Sequence, residues 1–389
     1  MEGKRLIEKI RLRNILSFGD KGEEITLEPL NIIIGQNASG KSNLVDVIKL
    51  LRSLPQDKGL VNFISKNGGV NEWIWKGIKR PDNTAEIEIT WKIIPLWKDY
   101  KPETIKYLIR FTELDRRLVI PEEKISDTNN KLLWFRDDNI PMEESILSTS
   151  SKSTKEFFIK SSELNRLRVS SLAYNLSELR LYTDLQTNRA SELRKPKPPD
   201  TPYGFLDENA NNLILVLRYL ESMRNPKIKV IENLRKFYPQ IEDYVIKWLG
   251  DGEYVQLYLR ERKLETLISA ERLSDGTLRY LCLLAILCHP EPPPLICIEE
   301  PETGLHPDIL PTIAELMKEA SQRTQLIVTT HSYILVSAFS DMPEAVLVCE
   351  KDEDGTHFKR LEKDKLKAWL EEYELGDLWL KGEIGGTRW

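Results

Sequence analysis

The stretch NIIIGQNASGKSNLVDVIKLL, Asn31 to Leu51, constrains the fold more than any other part of the chain. It reads as a buried strand (Ile32, Ile33, Ile34), a glycine-bounded loop and a helix. Gly35-Gln36-Asn37-Ala38-Ser39-Gly40-Lys41-Ser42 satisfies the phosphate-binding pattern G-x-x-x-x-G-K-[ST] at every position. Glycines in such a loop permit backbone angles that turn successive N–H groups inward. An anion is then held by main-chain donors and by the positive end of the following helix. In that geometry Lys41 reaches the β- and γ-phosphates and the Ser42 hydroxyl ligates Mg²⁺. Leu44, Val45, Val47, Ile48 and Leu51 recur at the spacing of one buried helical face, which supports the helix independently. A chance match in a Gly/Ser-rich turn would lack this flanking strand and helix.

At 389 residues the chain has room for roughly two to three domains at about 150 residues each. With 41% hydrophobic and 30% charged residues its composition is that of an ordinary soluble protein. No run of about 18 apolar residues is available to cross a bilayer. The N-terminus MEGKRLIEKIRLRN is charged and has no apolar secretory core, so a cytoplasmic location is expected. Cys282, Cys288, Cys297 and Cys349 lack C-x-x-C spacing and read as buried free thiols. A net charge of −5 leaves nucleic acid open as a partner, because a mildly acidic protein can carry a local basic groove.

Alternation predicts strands at RLIEKIRLR (5–13), EEITLEPL, AEIEITWKII, YLIRF (107–111) and RLVI (117–120). Trp73, Trp75, Trp91 and Trp97 cluster near the third of these. They read as an amphipathic sheet face rather than a base-stacking platform, because nothing near them is notably basic. From about Pro95 to Gln240 the signals weaken. LRKPKPPDTP (193–202) reads as a loop or arm whose Arg194, Lys195 and Lys197 are solvated. NANNLILVLRYLESM and PKIKVIENLRKFYP read as helices, EYVQLYLRE as a strand, LSDGTLRYLCLLAILCH and DILPTIAELMKEA as helices, and LICIEE and QLIVTTHS as short buried strands. Strands and helices alternating around one phosphate loop argue for an α/β fold with a sheet parallel at its centre.

Glu299 and Glu300 end the apolar run Leu295-Ile296-Cys297-Ile298, at the carboxyl end of a strand, where open α/β sheets bind ligands. Two carboxylates there suit two jobs. Glu299 is assigned to the metal or its water, and Glu300 to accepting a proton from the water that attacks the γ-phosphate.

GQNASGKS, LSDGT, LICIEEP, GLHP and TTHS, in this order, resemble the Walker A, signature, Walker B, D-loop and H-loop motifs of ATP-binding-cassette ATPases of the RecF, SMC and OLD type. The resemblance covers 1–95 and the chain from about 245 onward. It implies an ABC-type P-loop NTPase with a central mixed or parallel sheet, N-terminal antiparallel strands and an α+β insertion. The implied divisions are an ATPase-head half at 1–95, an inserted arm at 96–244, a second head half at 245–350 and a tail at 351–389. It also implies ATP and Mg²⁺ as cofactors and ATP hydrolysis as the activity, catalysed by Lys41, Glu300 and His331. Gly35, Asn37, Ala38, Ser39, Gly40, Lys41, Ser42 and Asn43 would hold the nucleotide, and Ser42 and Glu299 the metal. His331 would touch the γ-phosphate in cis, while Ser274 and Gly276 would reach one bound by a second copy, so the chain is expected to close as a head-to-tail homodimer.

Three positions depart from the commoner pattern: Asp275 stands where many cassettes have glycine, Glu299 where aspartate is usual, and the Q-loop glutamine is unplaced, Gln186 falling in the insertion. The segment after His331 is too short for a separate Toprim nuclease, and His289, His306, His331 and His357 form no nuclease-like cluster, so nucleic-acid cleavage is left to a separately encoded effector. The expected function is an ATP-driven switch in DNA repair or anti-phage defence, with DNA and an effector as partners and no membrane contact. The alternatives are a transporter's ATPase subunit, a P-loop small-molecule kinase, and a regulator that binds ATP without contacting DNA. The glycine- and tryptophan-containing tail, with Trp379, Gly382, Gly385, Gly386 and Trp389, resembles that of stand-alone RecF-like ATPases and suits packing or docking.

Overall fold

A computed structural model describes residues 3–77, 83–94, 103–135, 143–149 and 163–386; Trp97, Trp389 and most of the polar run SILSTSSKSTK lie outside them. The early strands are β1 (Ile7–Arg13), β2 (Glu23–Thr26), β3 (Leu30–Gly35), β4 (Ala85–Ile93), β5 (Glu103–Leu114), β6 (Arg117–Asp127), β7 (Leu132–Phe135) and β8 (Arg180–Tyr182). They are followed by β9 (Ile241–Leu249), β10 (Tyr254–Glu261), β11 (Ile268–Ser269), β12 (Leu295–Glu299), β13 (Gln325–Thr329), β14 (Val346–Asp352) and β15 (Gly355–Arg360).

The central sheet has the order β15-β14-β3-β13-β12-β8. Every pair from β14 to β8 is parallel, and β15 alone runs antiparallel, at the edge. Its inner strands are apolar on both faces because helices or strands cover both. Ile32 and Ile34 of β3, Ile296 and Ile298 of β12, and Leu326 and Val328 of β13 join one core with the helices Leu213–Ser222, Arg224–Phe237, Asp275–Leu287 and Leu310–Ala320. Ile33, Leu295, Cys297 and Ile327 point the other way, into a second core. This alternation is the two-residue period of a strand.

The second core is roofed by an antiparallel sheet of order β2-β1-β4-β5-β6-β7. Ile10, Leu12, Ile87, Ile89, Trp91, Tyr107, Ile109 and Phe111 meet Leu44, Val45, Val47, Ile48 and Leu51 of the helix Lys41–Ser53 there. Trp73, Trp75 and Trp91 are buried, as a packed sheet face requires. All four cysteines are free and buried, and burial pushes the Cys282 and Cys288 thiols up to about 12.

The described residues of 96–244 are woven into the molecule: β5–β7 extend the antiparallel sheet, β8 closes the central one, and two of the helices there build the first core. A three-stranded sheet β11-β10-β9 follows. The proline-rich stretch holds a short turn at Glu192–Arg194 and a bridge from Lys197 to Val255.

Candidate active site

Five parallel strands place their carboxyl ends on one edge of the central sheet, so the turns after β3, β8, β12, β13 and β14 share a rim. The loop after β3 is the phosphate loop. Gly35 and Gly40 sit at φ +152° and +113°, and Ala38 at φ +64°. A Cβ at Gly40 would lie 2.3 Å from Thr356 Oγ1 and 2.7 Å from Ser17 Oγ, so only glycine fits. Those hydroxyls tie the loop down: Thr356 Oγ1 donates to Ser39 O at 2.7 Å, and Asn43 Nδ2 donates to Ser17 Oγ at 2.7 Å. Lys41 is 6% exposed and spends two N–H donors on Gly35 O (2.8 Å) and Gln36 O (2.7 Å). Burial holds its ammonium below the usual lysine range, against the neighbouring Cys349 and Glu300. Asn37, Ala38 and Ser42 are exposed. Ser39 Oγ is buried and has no hydrogen-bond partner among the described residues. A phosphate oxygen in the loop would satisfy it.

Glu299 ends β12 beside Ser42. Burial raises its carboxyl above the ordinary range, opposed by Lys49 and by a hydrogen bond with Ser42. One hydroxyl and one carboxylate suit Mg²⁺, which keeps waters and takes its remaining oxygens from phosphates. No group of three or more His, Cys, Asp or Glu among the described residues forms an all-protein cage.

Glu300 is exposed and left-handed at φ +45°, a position of stored strain that hydrogen bonds hold in place. Its N–H donates to Thr329 O (2.9 Å), and its carbonyl accepts from Arg279 Nη2 (3.2 Å). His331 Nε2 stands 3.8 Å from Glu300 Oε1. Burial and the Lys41 charge lower the His331 pKa, against Glu300 and Glu302, which favours the neutral ring.

Lys41, Ser42, Glu299, Glu300 and His331 are thus brought to one rim. The signature is presented differently. Ser274 is exposed and caps the helix Asp275–Leu287 by accepting from Thr277 N (3.0 Å); among the described residues it bonds only within its own turn. Gly276 lies against the D-loop, where a Cβ would come 2.9 Å from Gly304 O.

Several contributors were not legible in the sequence. Glu302 Oε1 accepts from Thr330 Oγ1 (2.7 Å) and His331 N (2.8 Å), locking the H-loop to the turn after β12; the third carboxylate of EEPE was its signal. Gln186 lies four residues beyond β8, whose pairing with β12 closes the central sheet, but a three-residue strand leaves no periodicity to read. Arg194, read as solvated, is 2% exposed and paired with Asp275. Between β1 and β2, Phe18 is buried beside Phe358, and Arg13 Nε donates to Asp20 O (2.9 Å).

The parallel sheet, phosphate loop and paired carboxylates define the fold of an ABC-type P-loop ATPase head. The chain belongs to the family described as "AAA domain, putative AbiEii toxin, Type IV TA system", which matches residues 30–95 and 99–337. Curated proteins give no match. Among solved structures, an Smc head bound to the C-winged-helix domain of ScpA superposes with TM-score 0.59 at 16% identity, over 93% of this chain and 99% of that one. A Pyrococcus furiosus Smc head bound to the C-terminal domain of ScpA gives 0.57 at 14%, over 94% and 99%. A Pyrococcus yayanosii Smc head with coiled coil and joint gives 0.52 at 14%, over 94% and 99%. At such identities these likenesses describe the fold. No helix formed by the described residues is long and apolar enough to cross a membrane.

Proposed function

We propose that the chain is an ATP-hydrolysing switch in which two copies close head-to-tail around ATP and drive a DNA-related process, DNA repair or anti-phage defence, through a partner effector. The observation that carries this reading is the exposed signature: Ser274 stands at a helix N-terminus, which favours an anion, and among the described residues its hydroxyl bonds only within its own turn. Lys41 and the loop N–H groups bind the β- and γ-phosphates. When bound, Mg²⁺ at Ser42 and Glu299 neutralises phosphate charge. Glu300 accepts the proton of the water attacking the γ-phosphorus as the bond to the ADP oxygen breaks, and neutral His331 donates to a γ-phosphate oxygen. Ser274 and Gly276 of the second copy complete the cage. The toxin–antitoxin wording of the family's description and the ScpA domains on the Smc heads favour a non-identical partner.

A phosphate-release assay tests the enzyme: wild type turns over, Lys41→Ala does not bind ATP, and Glu300→Gln binds but hydrolyses about a hundredfold or more slowly. Wild-type turnover indistinguishable from Lys41→Ala would overturn it.

A further inference from the structure

Arg194 belongs to a stretch rich in lysine and proline, yet its guanidinium is enclosed and aimed inward. Nε donates to Thr187 O (3.1 Å) and Asn188 O (2.9 Å), and Nη2 to Thr187 O (2.7 Å). Nη1 donates to Ala270 O (3.2 Å) and Leu273 O (2.7 Å), and Nη2 also pairs with the Asp275 carboxylate. The first two carbonyls follow Gln186; the others lead directly into Ser274. The arginine is itself fixed from behind. Ser191 caps its short turn, and Gln256 Nε2 donates to Arg194 O at 3.0 Å. Lys195, one residue on, is an exposed partner of Glu192.

A planar fork with donors in fixed directions can bridge two loops in a way that a single ammonium cannot. Its charge is balanced by Asp275, the departure from the usual signature glycine. Asp275 also sits in the first helical turn, where a carboxylate is favourable.

We propose that Arg194 is a positioning residue for the signature: it bolts the turn that presents Ser274 to the segment carrying Gln186. The signature offered to a second copy then moves with the segment that follows β8 at the edge of the central sheet. This inference rests on the composite-site reading.

Trans-complementation separates the two. A Lys41→Ala chain lacks a working phosphate loop but keeps its signature. Mixed with a Ser274→Arg chain, it reconstitutes one competent site per heterodimer if the site is shared. Arg194→Gln should bind a fluorescent ATP analogue like wild type, lose about tenfold or more in ATPase activity alone, and recover several-fold on mixing with Lys41→Ala. Misfolding would leave no phosphate loop to complement, so recovery reports displacement of the signature. Where Arg194→Gln is unstable, Arg194→Lys, which keeps the charge and loses the fork, is read the same way. Wild-type activity in Arg194→Gln, or recovery with Ser274→Arg but not with Arg194→Gln, overturns the role of Arg194. Failure of the Ser274→Arg mixture overturns the composite site and this proposal with it.

Discussion

Gly40 occupies a backbone angle that a side chain rarely adopts, with two hydroxyls where its Cβ would be. Gly40→Ala is expected to lose ATP binding by about tenfold or more in a fluorescent-nucleotide titration, because either the loop or the Thr356 and Ser17 latch must move. His289 carries a different prediction. It is 4% exposed, stacked on Tyr219 with the Phe205 ring tilted against it, and burial lowers its pKa. Gly204 and Glu291 oppose that shift and Arg323 adds to it. The unfolded ring, near its ordinary value of about 6.5, therefore takes up a proton before the folded one does. Stability from neutral His289 is complete above that pH and is lost as pH falls toward the folded value, by at most about 1.4 kcal/mol per pH unit. Melting curves from pH 7 to 5 should fall less steeply for His289→Phe than for wild type. At this scale the phosphate loop and Glu299-Glu300 were legible because their chemistry is local. Arg194 was not, since its partners at 270–275 lie far along the chain and charge in a proline-rich run looks solvated.

Two packing relations between elements govern how motifs far apart in the sequence act together. The signature helix meets the D-loop at Gly276, where an added methyl group would press on the Gly304 carbonyl. Gly276→Ala should destabilise the molecule or displace the signature by about 1–3 kcal/mol, the usual range for overpacking. ATP-dependent dimerisation should weaken while nucleotide binding by the separate chain is kept. The tail helix Leu375–Leu380 packs on Tyr333–Ser337, directly after His331, with Gly376 against Tyr333 O. Leu375, Leu378 and Trp379 enter the first core, so this part of the tail packs into its own chain. Trp379 Nε1 donates to Gly386 O at 3.3 Å, and Gly386 N donates to Glu350 at 2.9 Å. Trp379→Ala should cost about 3–5 kcal/mol in denaturant unfolding. Strands and helices with strong periodicity were read correctly as elements. Their partners were not, because a sequence shows which face is apolar but not which element covers it.

Over the whole molecule, two cores share one central sheet, and Lys41, Ser42, Glu299, Glu300 and His331 sit on the same rim of that sheet. The order of five motifs made the fold class legible. Weak signals in the 96–244 segment hid its place in both sheets, because β8 is three residues long and its neighbours lie far away in sequence. The central claim is that this rim is half of a site. Light scattering coupled to size exclusion on Glu300→Gln with ATP and Mg²⁺ tests it most directly: the account predicts a dimer that forms with ATP, is absent with ADP, and is lost when Ser274→Arg is added. A Glu300→Gln protein that binds ATP and remains monomeric would contradict it.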